Sequence, residues 1–172
     1  YTYWTQLGAP TYLYMSSPSA SRLIKAYISG VAVNGCEARG VRAYLLRWFN
    51  ALGFEIRGTA VVLPKSYCKY TPKTVLEHVY FVKGAFETYG EFFMGDPHGK
   101  EVIIIFKSGS KKLAKSLRLL GFSPLETTDE SKSSRYLVLY ERLDVRRFVK
   151  LTKPVVEEAP IAKALGLCSQ RQ

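Results

Sequence analysis

The sequence is poor in the residues that build metal centres and covalent frameworks. Among 172 residues it has three cysteines, at 36, 68 and 168, and only two histidines, His78 and His98. No two cysteines form a CxxC pair, so a zinc site is not indicated, and an odd, widely spaced set does not indicate a disulfide framework. We therefore expect free thiols in a reducing, cytoplasmic setting, with neither a metal nor a cofactor.

Long apolar runs and acidic residues are also scarce. The longest apolar runs, such as 102–106, fall far short of the roughly 20 residues that span a bilayer, so no membrane segment is expected. Apolar residues make up 47% of the chain, which is typical of a folded domain. Against 25 Lys and Arg there are 14 Asp and Glu, a net charge of +11, and the excess lies mostly in the first 75 residues. A field of this sign favours polyanionic partners.

Hydrophobic periodicity and turn residues predict an alternation of helices and strands. Helices are predicted over 20–33, 41–52, 76–88, 110–120 and 143–151, and strands over 54–63, 100–107 and 135–141. Residues 1–17 predict two short strands, 64–74 an extended basic segment, and 95–99 the turn of a hairpin. A polar stretch over 127–134 follows a weak strand near Ser123, and a short helix is predicted after Pro160.

An internal repeat organises these elements. Residues 44–54 (YLLRWFNALGF) align with residues 112–122 (KLAKSLRLLGF), and both segments end in Leu-Gly-Phe. The preceding helices end at Gly35 and Gly90, and the different offset is explained by a hairpin present only between 91 and 107. We divide the chain into N-terminal strands (1–17), a first half (18–75), a second half (76–152) and a C-terminal arm (153–172).

The second half carries a recognisable motif. Residues 81–90, FVKGAFETYG, followed by a hairpin and a helix that closes in Leu-Gly-Phe, resemble the LAGLIDADG homing-endonuclease and WhiA-like family, with a weaker copy, YISGVAVNG, at 27–35. The resemblance implies an α+β fold of pseudo-two-fold αββαββα repeats, the first lacking the usual hairpin, in which helices back a twisted antiparallel sheet. It also implies that the two motif helices pack side by side through small residues, here Ser29, Gly30, Ala32, Gly84 and Ala85.

The same resemblance bears on catalysis. In active family members an Asp or Glu precedes each terminal glycine, and the two carboxylates hold the divalent ions that polarise the scissile phosphate. The matching residues here are Asn34 and Tyr89, and a neutral amide and a phenol are poor ligands for a hard dication. We therefore expect a protein that is not an enzyme. The alternative is an active divalent-metal homing endonuclease with an irregular site that uses Glu87 or Glu91.

Two kinds of surface are candidates for binding nucleic acid. The resemblance implies contact along the outward side of the sheet, and cations alternate with aromatic rings between 65 and 73, a pattern suited to phosphate pairing and base stacking. The candidate nucleic-acid-binding residues are Arg57, Lys65, Tyr67, Lys69, Tyr70, Lys73, Lys100, Lys107, Arg135, Tyr136 and Tyr140. The stripe Lys111, Lys115 and Arg118 is interpreted as a solvated helix face and is left out of the site.

These observations predict a non-catalytic protein that binds structured RNA or duplex DNA through a basic sheet surface. RNA is slightly favoured, because basic binding kept without cutting suits an RNA role, and the chain is then a candidate component of a ribonucleoprotein assembly. An interaction protein that contacts an acidic partner is a further alternative. We expect a monomer whose two halves mimic a dimer.

Overall fold

The structure, a computed structural model, describes residues 18–94, 101–154 and 159–166. The strands predicted in 1–17, the hairpin turn at 95–99 and the candidate Lys100 lie outside these ranges. In the described ranges, no helix has both the length and the apolar character needed to cross a bilayer.

The described chain alternates helices and strands in two successive halves. The first half contains helix α1 (Pro18–Val31), strand β1 (Glu37–Ala38), helix α2 (Ala43–Ala51), strands β2 (Glu55–Arg57) and β3 (Ala60–Val62), and helix α3 (Lys65–Cys68). The second half contains helix α4 (Val75–Tyr89), strands β4 (Gly90–Met94) and β5 (Val102–Phe106), helix α5 (Lys111–Leu119), strands β6 (Leu125–Asp129) and β7 (Ser134–Leu139), and helix α6 (Arg142–Thr152). Helix α7 (Ala159–Ala164) follows. The α+β class and the complete αββαββα order of the second half are as predicted.

Each half has its own antiparallel sheet. The second sheet has the order β4-β5-β7-β6, and the first has the order β1-β3-β2. In the first sheet β3 lies between β2 and β1, and β1 precedes helix α2 in sequence. In the second sheet β7 lies in the same way between β6 and β5, and β5 precedes helix α5. The first sheet therefore matches the second with the counterpart of β4 missing among the described residues, which confirms that the first copy lacks the usual hairpin and shows that one of its two strands remains.

Three local predictions differ from the structure. The single strand predicted over 54–63 is a hairpin, because Gly58 adopts a left-handed φ of 64° and turns β2 back onto β3. The weak strand near Ser123 lies further along the chain, at β6, and the polar residues 127–129 belong to it. The segment 64–74 includes α3, which begins after Pro64, a residue whose fixed φ suits the start of a helix.

The expectation of free thiols is wrong for two of the cysteines. Cys36 and Cys68 form a disulfide across a sequence separation of 32 residues. Their meeting depends on the first sheet, where the Leu63 amide donates to the Cys36 carbonyl (2.8 Å) and so brings the start of α3 back beside β1. With this bond present, the cysteines no longer indicate a reducing compartment.

The two halves meet where α1 packs against α4. A methyl group built on Gly30 would lie 2.0 Å from the Phe81 carbonyl oxygen, and one on Gly84 would lie 2.1 Å from the Tyr27 carbonyl oxygen. The helix backbones are therefore in direct contact at both glycines, with Ser29, Ala32 and Ala85 buried beside them. This contact joins two apolar cores, one around Phe49 and Leu45 and the other around Phe86, Phe106 and Phe148.

Candidate nucleic-acid interface

The ends of the two central helices converge on the backbone that follows β5. The Lys107 amide donates to the Tyr89 carbonyl (2.8 Å), and the Asn34 amide nitrogen donates to the Lys107 carbonyl (3.1 Å). The Asn34 amide oxygen accepts from the Ser108 hydroxyl (2.7 Å). Both atoms of the Asn34 amide are thus used to tie the end of α1 to the second half.

Tyr89, at the other helix end, is also unsuited to ligating a metal ion. Burial raises the pKa of its phenol to about 12, so the group stays protonated at physiological pH. Within the described ranges, no cluster of three or more His, Cys, Asp or Glu side chains is arranged to hold a metal ion. The helix ends therefore offer positioning contacts and no carboxylate pair.

Glu87, one of the two acids considered for an irregular nuclease site, lies inside the molecule. Its side chain is 2% exposed, and its Oε1 accepts a hydrogen bond from the Tyr27 hydroxyl (2.5 Å), which links α4 to α1. Its Oε2 has no hydrogen-bond partner among the described residues. Burial raises the pKa of this carboxyl to about 8, although Tyr27, Lys83 and Arg42 act in the opposite direction. Glu87 is therefore a largely neutral internal group.

The raised pKa of Glu87 predicts a pH-dependent stability. Because the folded-state pKa (about 8) exceeds the ordinary value of 4.5, the folded protein holds this proton more tightly than the unfolded chain does. The contribution of Glu87 to the free energy of unfolding should therefore fall as pH rises from about 4.5 to about 8. Urea unfolding of the wild type and Glu87→Gln, at several pH values in this window, measures the effect, and we expect the Gln variant to lose the Glu87 contribution to the slope.

The unfolding measurements should be made below about pH 8, because Lys83 loses its proton in the folded protein around that pH. Burial lowers the pKa of Lys83 to about 8, so its contribution makes stability rise with pH only above that value. Equal slopes for the wild type and Glu87→Gln would show that Glu87 is not protonated in the folded state.

Glu91, the other acid considered, faces solvent on β4 and pairs with Lys107 (3.6 Å). Its carboxylate is near the helix ends, because Lys107 is the residue whose backbone binds both Asn34 and Tyr89. Glu91 is therefore an exposed carboxylate beside Lys107, near the point where the two helix ends meet.

Arg42 holds the C-terminal end of α4. Its guanidinium donates to the Glu87 carbonyl and to the Gly90 carbonyl, the latter at 2.8 Å. A cation at these carbonyls satisfies acceptors that a helix end leaves open and complements its dipole. Arg42 therefore positions the motif helix and is not part of the exposed cationic surface.

Two of the predicted binding cations on the sheets, Arg57 and Lys107, each lie beside an acid. Arg57 pairs with Glu55 (2.5 Å) and with Glu37 (3.5 Å), and Lys107 pairs with Glu91. The register explains the contacts of Arg57: Glu37 and Glu55 both pair with Val62, one from each side, so both acids share the face of Arg57. The order of strands in a sheet cannot be predicted from a local sequence pattern.

Tyr136 and Tyr140 lie on one face of the second sheet, as alternation predicts, and the same alternation places Arg135 on the opposite face. Tyr136 is half-buried and Tyr140 is 53% exposed, opposite the buried Leu137 and Leu139. Arg135 alternates with Tyr136, so it points to the other side of the sheet, and its stem packs on Gly109. Tyr136 and Tyr140 therefore share a face that Arg135 does not reach.

The cations of the segment 64–74 form a surface with α5. Lys112 Nζ donates to the Tyr70 carbonyl (2.6 Å). Burial lowers the pKa of Lys112, and the nearby charge of Lys69 lowers it further. In the described ranges, no carboxylate forms an ion pair with these cations. We call this surface the basic ridge; it consists of Lys69 and Lys112, which interact, and of the exposed lysines near them along the chain, Lys65, Lys73, Lys111 and Lys115.

The two tyrosines among these lysines have packing roles. The Tyr67 ring is half-buried and contacts the Phe54 ring at 5.2 Å between centroids. The Tyr70 hydroxyl donates to the Glu77 carboxylate, and burial and this contact raise the pKa of the phenol to about 12. The exposed lysines, not the rings, are therefore the part of the segment available to a ligand.

Sequence reasoning left out the α5 cations that complete the ridge. Lys111 and Lys115 share one helix face, a signal visible in the sequence and interpreted there as a solvated surface. Their proximity to the segment 64–74 depends on the packing of α5 against α4, which includes the contact of His78 Nδ1 with Ser116 Oγ (2.9 Å).

Comparison with known proteins assigns the fold. No family model and no curated protein matches the sequence. Among solved structures, the N-terminal LAGLIDADG domain of DUF199/WhiA superposes with a TM-score of 0.59 at 14% identity, over 81% of this chain and 87% of that one. I-DmoI in complex with DNA and Mn superposes with a TM-score of 0.50 at 16% identity, over 78% of this chain and 99% of that one. The chain has a LAGLIDADG-like fold, as its motif residues predicted.

Proposed function

We propose that this protein binds nucleic acid and does not cut it. The observation that carries the proposal is the state of Asn34: it stands where active LAGLIDADG proteins have a metal-binding acid, and both atoms of its amide already bind Lys107 and Ser108. The similar I-DmoI structure holds DNA and Mn. In this chain the fold is kept, while the paired carboxylates that a metal needs are replaced by Asn34 and Tyr89.

The charge of the molecule supports a polyanionic ligand. The net charge is +11, and the lysines of the basic ridge form no ion pair with an acid in the described part of the chain, unlike Arg57 and Lys107 on the sheets. Lysines that neutralise phosphates release the counterions condensed on the nucleic acid, so such binding weakens steeply with salt. We place structured RNA before duplex DNA, because a basic surface kept without cutting chemistry suits an RNA role.

Binding is tested with a labelled RNA hairpin and a duplex DNA of equal length at about 50 to 200 mM salt. We expect Lys69→Glu and Lys115→Glu each to weaken binding several-fold and to flatten the salt dependence. Lys132→Glu, in the turn between β6 and β7, makes the same charge change away from the ridge and should have the smaller effect. Binding that does not depend on salt, or equal losses in all three variants, would refute the proposed ridge.

Catalysis is tested separately by incubating the protein with plasmid DNA or RNA and Mg²⁺ or Mn²⁺. We expect no cleavage. Cleavage by the wild type that disappears in Glu91→Gln would establish an endonuclease with an irregular site instead. A bound protein that stays associated after nuclease treatment would point to the acidic-partner alternative.

A further inference from the structure

The exposed side of α6, a helix that lies wholly within the described ranges, carries cations and leucines but no acid. Arg142, Arg146 and Lys150 follow one another at intervals of four residues, so they form a row on one helix face with steps of about 6 Å along the axis. The single acid of this helix, Asp144, is buried and accepts a hydrogen bond from the Ser123 amide (2.9 Å). Among the described residues, no carboxylate forms an ion pair with a cation of this row.

Two exposed leucines lie along one side of this row. Leu143 is 76% exposed, more than any other large apolar side chain in the described ranges, and Leu151 is 41% exposed. They are eight residues apart, which places them about 12 Å from each other along the helix. One exposed leucine is ordinary on a protein surface. Two of them beside a row of cations form a mixed surface that suits a partner with both apolar and acidic groups.

Arg147, between the two leucines, fixes the position of this helix. Its guanidinium donates to the carbonyls of Leu120 (2.7 Å) and Gly121 (3.3 Å) at the end of α5, and it lies 4.8 Å from the centroid of the Phe122 ring. On the inner side of α6, Phe148 is fully buried in the core. The exposed side of α6 is therefore held in place before any partner binds, which lowers the entropy cost of association.

A cavity of about 70 Å³ lies at the start of the row. Arg142 and Arg146 line it together with Tyr140 and Glu101, and the rest of its wall consists of apolar side chains from β5, α6 and the end of α7. This volume is that of about two water molecules in the liquid, so it admits a carboxylate group but not a nucleotide. Guanidinium groups bind carboxylates with paired hydrogen bonds. Glu101 opposes such a ligand and leaves the lining with a net charge of +1.

We propose that the exposed side of α6 binds an acidic, leucine-bearing segment of another protein. Carboxylates of this segment pair with the row of cations, one of them enters the cavity between Arg142 and Arg146, and its apolar side chains cover Leu143 and Leu151. Charge complementarity carries the choice of partner. A second copy of this chain is excluded as the occupant, because the same face on both copies would place cations against cations.

The leucines distinguish a protein from other anionic partners. The phosphates of a nucleic acid can neutralise the cations but leave Leu143 without an apolar contact. A lipid surface requires a continuous apolar helix face, whereas the apolar face of α6 is used by the core and Arg147 separates the two leucines. The inference does not depend on the proposed function, because that function assigns nucleic acid to the basic ridge, to which no residue of α6 belongs.

The test measures, by fluorescence anisotropy, the binding of a labelled helical peptide of about 18 residues in which Glu and Leu recur at the spacings of the row and of its leucines. Leu143→Ala should weaken binding about tenfold, because a buried leucine contact is lost. Arg146→Glu should weaken it at least as much, since attraction becomes repulsion. Glu101→Gln should strengthen binding about twofold, because it removes the opposing charge from the cavity. Arg118→Glu and Leu119→Ala make matched changes at exposed positions of α5 and should have no effect.

Two control peptides separate the contributions of charge and apolar contact. One carries Gln at the Glu positions and the other carries Ala at the Leu positions, and each should bind several-fold more weakly than the parent peptide. Circular dichroism and the unfolding midpoint check that every variant is folded. No binding of the parent peptide, equal binding of the Gln peptide, or equal losses in Leu143→Ala and Leu119→Ala would overturn the inference.

A parallel measurement with the labelled RNA hairpin separates this inference from the proposed function. Leu143→Ala should bind the hairpin like the wild type. If Leu143→Ala and Arg146→Glu both weaken hairpin binding as much as Lys69→Glu does, the face belongs to the nucleic-acid ligand, so the inference is wrong and the proposed function stands. If the wild type binds the acidic peptide in the expected way and binds no nucleic acid, the proposed function fails and the inference stands.

Discussion

Replacing Gly84 with alanine should destabilise the protein by about 3 kcal/mol or more, because the new methyl group meets backbone that cannot move aside. The methyl carbon would lie 2.1 Å from the Tyr27 carbonyl oxygen, so α1 and α4 must separate to admit it. Helix propensity alone predicts the opposite sign, since alanine in place of glycine stabilises a helix interior by about 1 kcal/mol. The direction of the change therefore distinguishes close helix contact from ordinary helix propensity.

Urea unfolding of Gly84→Ala and Gly30→Ala measures this effect. The two glycines face each other's helix, so once one variant has separated the backbones, the second substitution should cost less than it does alone. Ser29→Ala is the matched control: Ser29 is buried next to Gly30, and its hydroxyl has no hydrogen-bond partner among the described residues. We expect that control to match or exceed the wild type. A Gly84→Ala variant as stable as the wild type would contradict direct contact of the two helices.

Reducing the bond between Cys36 and Cys68 should lower the free energy of unfolding by about 3 to 4 kcal/mol, the loss expected when a loop of this length is opened in the unfolded chain. The bond ties the start of the first sheet to α3, which continues into the basic ridge. Urea or thermal unfolding with and without reductant measures the loss.

A double variant, Cys36→Ser with Cys68→Ser, serves as the control for the reductant itself. It should have the stability of the reduced wild type and should not respond to reductant. If reductant lowers the stability of the double variant as much as that of the wild type, or if the untreated wild type presents both thiols to a titrating reagent, the bond does not form in solution.

Local patterns predicted the elements that close within a few residues. Amphipathic periodicity and the glycines after each helix placed α2, α4 and α5 to within a few residues, because those signals act over one or two turns. The hairpin at Gly58 was missed, since an alternating pattern continues unchanged through a tight turn and only the left-handed φ of Gly58 reveals it.

The candidate site was predictable to a smaller extent. The motif located Asn34 and Tyr89 at the helix ends, because their position follows from the glycine that comes next in sequence. The motif did not show that Lys107 binds both helix ends or that Glu87 is buried against Tyr27. Each of these contacts joins residues of different elements, and two of them join residues more than fifty positions apart in sequence.

The sequence by itself determined the class of fold, the order of the elements in the second half and the replacement of the paired acids by Asn34 and Tyr89, because each of these follows from residues close together in sequence. Tertiary structure alone decided that Cys36 meets Cys68, that Arg57 and Lys107 lie beside acids, and that α5 joins the segment 64–74 in the basic ridge. Charge and thiol chemistry act between groups a few ångströms apart. Strand register and helix packing, which bring distant positions together, therefore decide which groups interact.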